Sequence, residues 1–114
     1  MRNVVGTTNA EHYRWGDGCD GWHLVQRGDL SVIQERVPPG KSERTHYHTK
    51  SRQFFYVLDG IASLEIDGNP VTLKKHEGIE IPPMVPHQLR NDSDRDLIFL
   101  VVSAPKSHGD RIDQ

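Results

Sequence analysis

The chain has 114 residues, of which 34% are hydrophobic and 26% charged, and its formal net charge is −2. That is enough for one domain with a core of its own. Lysines and arginines are scattered among acids, which argues against a nucleic-acid partner, and no apolar run approaches the length that spans a bilayer, so no membrane partner is expected. The opening stretch, "MRNVVGTTNAEHYRW", lacks the apolar core of a signal peptide. The lone Cys19 has no intrachain disulfide partner and reads as a small buried thiol. Together these features predict a cytoplasmic location.

Residues 1–29 form an N-terminal segment, strand or loop, broken by the turn-rich "WGDGCDGW". Short strands then follow one another. Leu30 to Val37 is rich in β-branched residues, and "PPG" at 38–40 ends it. Phe54 to Leu58 is apolar on both faces. Ile61 to Ile66 alternates, with Ala62, Leu64 and Ile66 on one side, and the "DGN" turn joins it to Val71–Leu73 as a hairpin. "IEIP" at 79–82 is short, and Leu97 to Val102 is apolar throughout, as a central strand would be. A polar tail, residues 104–114, is expected to pack loosely. Short strands with Gly/Pro turns and no room for a long helix predict an all-β sandwich or barrel, with its core over 30–103 of a single domain spanning 1–114.

Seven histidines punctuate this pattern. His46 and His48 share one face of an extended strand, about 6–7 Å apart. Gln53 follows after a tight reversal, and His87 lies behind the proline-stiffened "IPPMVP". Imidazole is the commonest protein ligand of first-row transition metals, and a stiff loop suits a preformed site. Parity with Gln53 places Phe55 and Val57 on the same interior face, and parity with His87 adds Leu89, an apolar wall for a small-molecule pocket. Phe54, Tyr56 and Leu58 face the other way. Left exposed, that strip suits a homodimer; otherwise the N-terminal segment covers it, with Trp15 and Trp22 packed there. His12, His23, His76 and His108 read as surface residues, and Glu35, Glu43 and Glu80 are acid–base candidates that the sequence alone does not place.

Residues 40–60 run G-x5-H-x-H-x4-Q-x6-G through Gly40, His46, His48, Gln53 and Gly60, and "GIEIPPMVPHQLRN" spans Gly78, Pro82, His87 and Asn91. This resembles the two motifs of the cupin superfamily, in its small single-domain form. The resemblance implies a double-stranded β-helix, a jelly-roll barrel whose inward motif residues bind one divalent metal ion. By position His46, His48 and His87 would be ligands, and Gln53 takes the place of the usual glutamate. Iron, manganese, nickel, copper and zinc all accept such donors. Gln53 brings no charge, so the ion would stay more electropositive, would favour anionic ligands, and would lack a carboxylate base beside it. A second departure puts Met84 where a turn glycine is usual, implying another turn or a methionine over the barrel mouth.

Two functions remain open at this point. One is a metal-dependent enzyme, of dioxygenase or isomerase type, on a small oxygen-bearing, possibly anionic substrate. The other is a non-catalytic metal-dependent binding or sensor module. The superfamily hosts both kinds, so the fold does not choose between them.

Overall fold

The computed structural model describes residues 3–114, and among these every helix-length regular element is a β-strand. No described helix is long and apolar enough to cross a membrane. The strands are β1 (Glu11–Trp15), β2 (Cys19–Gln26), β3 (Ser31–Val37), β4 (His46–His48), β5 (Arg52–Asp59), β6 (Ala62–Ile66), β7 (Asn69–Leu73), β8 (Gly78–Ile81), β9 (His87–Arg90), β10 (Leu97–Ala104) and β11 (Arg111–Asp113). One sheet runs β1-β2-β3-β10-β5-β8 and the other β11-β4-β9-β6-β7. This is a double-stranded β-helix, the barrel that the resemblance implied. As its apolar composition implied, β10 is central, between β3 and β5.

Side-chain parity builds the interior. On β5, Gln53, Phe55 and Val57 are buried while Arg52 and Phe54 are exposed. On β10, Leu97, Phe99, Val101 and Ser103 alternate inward in the same way. Ile33 and Val37 from β3, Leu64 from β6 and Leu89 from β9 complete the core between the sheets. Burying a side chain of this size contributes roughly 1.5–3 kcal/mol, before the entropy of ordering it is subtracted.

The turns follow local chemistry. Asp67 and Gly68, at φ 51° and 80°, close the β6–β7 hairpin with both central residues left-handed. Gly60, at φ 88°, has a different reason to be glycine. A Cβ there would fall 2.6 Å from the carbonyl oxygen of Asp96, so the turn leaving β5 can lie against the start of β10. Asn91, the last motif residue, is fully buried. Its amide donates to the carbonyls of Val37 and Arg95 at 2.9 and 2.7 Å, and its oxygen accepts from Ser93, so it ties the β9–β10 turn to β3.

Three expectations change at the ends of the chain. The N-terminal segment becomes β1 and β2, which widen the sheet beyond β3 and do not cover Phe54, which is 41% exposed. Trp15 packs on the core, and Trp22 lies against His12 with ring centroids 5.3 Å apart. His23 is no surface residue. Its side chain is only 8% exposed, set between Tyr13 and His108 at 5.0 and 5.6 Å. The tail is not loose either, because β11 pairs with β4 residue by residue, Arg111 opposite His48 and Asp113 opposite His46. Asp110 secures it: its carboxylate accepts from the backbone N–H groups of Thr49, Lys50 and Ser51 at 3.1, 2.9 and 2.8 Å, and from the Thr49 hydroxyl. Those bonds hold its carboxyl well below the usual carboxylate range.

Candidate metal centre

Parity turns His46 and His48 inward from β4, and β9 brings His87 directly opposite His46. All three rings are buried, and one nitrogen of each lies within 4.8 Å of the others. That spread is close to what donors about 2 Å from one ion can have. Two of the rings are oriented from behind. His46 Nδ1 lies 2.8 Å from the carbonyl of Arg44, and His87 Nδ1 lies 3.0 Å from that of Val85. A carbonyl can only accept, so Nδ1 carries the proton and the Nε2 lone pair points into the barrel. His87 Nε2 is buried with no hydrogen-bond partner. Burial pushes the His46 imidazole down to about 4, with the other two rings adding a smaller effect, and it lowers His48 and His87 as well. All three are therefore neutral near pH 7, the form that binds metal.

Gln53 lies in the same cavity. Its Nε2 donates to Ser103 Oγ on β10 at 3.1 Å, and Oε1 is left buried without a partner. A buried carbonyl oxygen with nothing to accept from is costly. Gln53 Oε1 and His87 Nε2, both unpartnered, are lone-pair donors of the kind a cation binds. The residues thus fit a divalent transition metal.

A cavity of about 310 Å³ opens from this cluster. Phe55 lines it, with its ring 5.9 Å from that of His87. Val57 and Leu89 do share the interior face, but both are fully buried in the closed core and form no part of the cavity wall. The wall is supplied instead by Tyr13, Trp15, Ile33 and Val101, and by the tail through Ser107, His108 and Arg111.

Two carboxyls also line it. Glu43, just before β4, has Oε2 3.3 Å from His46 Nδ1, and burial raises its carboxyl well above the usual range, with repulsion from Glu35 adding to it. Glu35 is on β3 between Ile33 and Val37, on the inward face. Its carboxyl is pushed up to about 7 by burial, against the smaller opposing effects of the Tyr13 hydroxyl and the Arg111 charge. The third candidate, Glu80, is on the outer surface, paired with Arg52 at 2.7 Å. The β3 alternation Ile33, Glu35, Val37 was the available signal for Glu35: an acid stands where the pattern asks for an apolar residue.

Met84 does not cover the mouth. It is 58% exposed at φ 71°, the left-handed conformation a turn glycine would take, and its N–H donates to His48 O at 2.6 Å. A left-handed non-glycine costs roughly 1–2 kcal/mol, and the extra entropy lost by glycine is about 0.5–1 kcal/mol. Met84→Gly is therefore expected to hold or raise stability by up to about 1 kcal/mol, with metal content unchanged. A urea midpoint that falls would show that the methionine side chain packs usefully.

The family model for the cupin domain matches residues 33–103. The chain belongs to the cupin family. Among relatives, this cupin is 33% identical over 81 residues to an uncharacterized protein of Methanocaldococcus jannaschii, covering 70% of this chain and 65% of that one. It is 31% identical over 94 residues to the H2HPP isomerase of Bacillus subtilis, covering 82% of this chain and 39% of the isomerase. The chain thus spans less than two thirds of the length of these relatives. Among solved structures, KdgF from Halomonas sp. superposes with a TM-score of 0.85 over 94% of this cupin and 98% of that chain, at 16% identity, a likeness of fold.

Proposed function

We propose that this cupin binds one divalent transition metal through His46, His48, His87 and Gln53, and acts as a metal-dependent enzyme on a small, oxygen-bearing, anionic substrate. The observation that carries this is the cluster of His46, His48 and His87, in which His87 Nε2 is buried and unpartnered, together with the unpartnered Oε1 of Gln53, which lines one cavity with His46 and His48. A divalent ion held there supplies Lewis-acid attraction for a substrate oxygen. With four neutral donors its charge stays uncompensated by the ligands, which favours an anion. The chain does the rest. Phe55, Trp15 and Ile33 supply an apolar wall that limits water, and Arg111 at the rim adds a positive field.

An isomerase- or dioxygenase-type reaction suits this arrangement. Likeness to an H2HPP isomerase over 82% of the chain supports the first. The deciding experiment is metal analysis of protein purified without a histidine tag, with mass spectrometry for a co-purified small molecule. About one divalent transition ion per chain is expected. A protein that stays metal-free, and takes up none on reconstitution, would overturn this function.

The exposed face of β5 and β10 supports a homodimer as the working form. Phe54 and Tyr56 stack there at 6.2 Å, and Leu58, Leu100 and Val102 are only partly buried. Light scattering at micromolar concentration is expected to report twice the chain mass, and Phe54→Arg to halve it. A monomer mass at all concentrations would exclude this.

A further inference from the structure

Glu35 is an acid in a place the fold reserves for apolar residues. Its strand neighbours on the inward face are Ile33 and Val37, and both are buried core. Glu35 is half-buried, and a carboxyl withdrawn from water is costly unless it gains partners, of which Glu35 has few. Its one side-chain hydrogen bond is from the Tyr13 hydroxyl to Oε2, at 3.4 Å. Glu35 lines the same cavity as His46 and His48.

The contact with Tyr13 is built across three strands. Gly21 on β2 is the register partner of both Tyr13 on β1 and Glu35 on β3. A Cβ at Gly21 would lie 2.6 Å from the Tyr13 hydroxyl oxygen, so the missing side chain is what lets the ring cross β2 and reach Glu35. Tyr13 itself stays protonated, its hydroxyl pushed up by burial and by Glu35. It is thus a permanent donor, held where it steadies a carboxylate on Glu35.

We propose that Glu35 is the proton-exchanging group of this cavity, with Tyr13 its positioning residue, and that the ligand class is small carboxylate anions, an oxygen of which takes up the Glu35 proton. This rests on the metal-binding function above. In the step, the O–H bond of the Glu35 carboxyl breaks and an O–H bond forms on a ligand oxygen. The negative charge left on Glu35 is held by the Tyr13 hydroxyl. The reverse step returns the proton, and no electrons are exchanged.

Few other groups surround Glu35. From β1 comes Tyr13, from β2 the buried thiol of Cys19, and from β11 the Arg111 charge, while Phe99 and Val101 of β10 cannot titrate. Glu43 is the second carboxyl of the cavity: its Oε2 lies 3.3 Å from His46 Nδ1 yet is buried without a hydrogen-bond partner, and proton uptake that survives Glu35→Gln would point to it. A carboxyl that titrates near pH 7 suits proton exchange at neutral pH.

The test is calorimetry of metal-loaded full-length protein with pyruvate, in buffers of different ionisation enthalpy between pH 6 and 8.5. Wild type is expected to take up about half a proton on binding near pH 7, and its affinity to fall towards tenfold per pH unit above that. Glu35→Gln should bind with no proton uptake and a flat pH profile. Tyr13→Phe and Gly21→Ala should raise the pH at which affinity starts to fall, because each removes the bond that favours the charged form. Carbon-13 titration of glutamate-labelled wild type gives a check needing no variant: one carboxyl should titrate near pH 7 and move upward with pyruvate. Binding without uptake, uptake that survives Glu35→Gln, or no such carboxyl would overturn the role of Glu35 alone. Absence of pyruvate binding to fully metal-loaded protein would overturn the small-carboxylate class, while metal content below one per chain would overturn the metal function beneath it.

Discussion

His46→Ala and His87→Ala are each expected to lose nearly all bound metal while the barrel still folds. Each substitution removes one of three imidazoles whose donor atoms lie within 4.8 Å of one another. Changing even an outer partner of a metal ligand costs 10–100-fold in affinity, so loss of a ligand should weaken binding by at least about 100-fold. Folding should survive. His87 gives up one hydrogen bond to Val85, and its unpartnered Nε2 goes with it, so a buried polar group without a partner disappears as a small void appears. Tyr47→Ala is the control. It lies between the two strand histidines, faces the other way, and should keep its metal. Metal content measured on folded protein, with circular dichroism to check the fold, decides the matter. Full occupancy in both histidine variants would mean that the cluster is not the metal centre.

Gln53→Glu is expected to retain metal more tightly and to bind pyruvate at least tenfold more weakly. The substitution is nearly isosteric, and Ser103 can adapt. Its hydroxyl now accepts from Gln53 Nε2 at 3.1 Å and can rotate to donate to a carboxylate. The change is therefore one of charge. A carboxylate ligand strengthens the attraction for a divalent ion and brings a negative charge close to a bound anion. At an effective dielectric of about 20, two unit charges roughly 4 Å apart repel by about 4 kcal/mol before screening. A third of that is about tenfold in affinity. Calorimetric titration of both metal-loaded proteins measures it. Equal pyruvate affinity with equal metal retention would place Gln53 outside the coordination sphere and leave its hydrogen bond to Ser103 as its whole role.

Much of this barrel was legible before any coordinates because strand parity is a local property. The alternation of Gln53, Phe55 and Val57 against Phe54 and Tyr56 follows from the two-residue period of extended chain, whatever lies opposite. For the same reason His46 and His48 had to share a face, and Asp67–Gly68 had to turn. Parity says inside or outside. It does not say where inside. Val57 and Leu89 have the same parity as Phe55, yet both are sealed in the core while Phe55 borders the cavity. The difference comes from where the two sheets close on each other.

The amino-acid sequence by itself determined the family, the double-stranded β-helix, the three histidines and the neutral Gln53 where an acid is usual. Tertiary structure alone decided what surrounds them. Opposition of His87 to His46 depends on pairing between strands about forty residues apart. The unpartnered Oε1 of Gln53 depends on a serine fifty residues on, which takes the amide nitrogen's bond. The tail, polar and seemingly idle, completes the rim because Asp110 meets three free N–H groups in the turn after β4. Glu35 meets Tyr13 only because Gly21 leaves space between their strands. Such contacts join residues distant along the chain, and their energy depends on register and closure, which no local periodicity encodes.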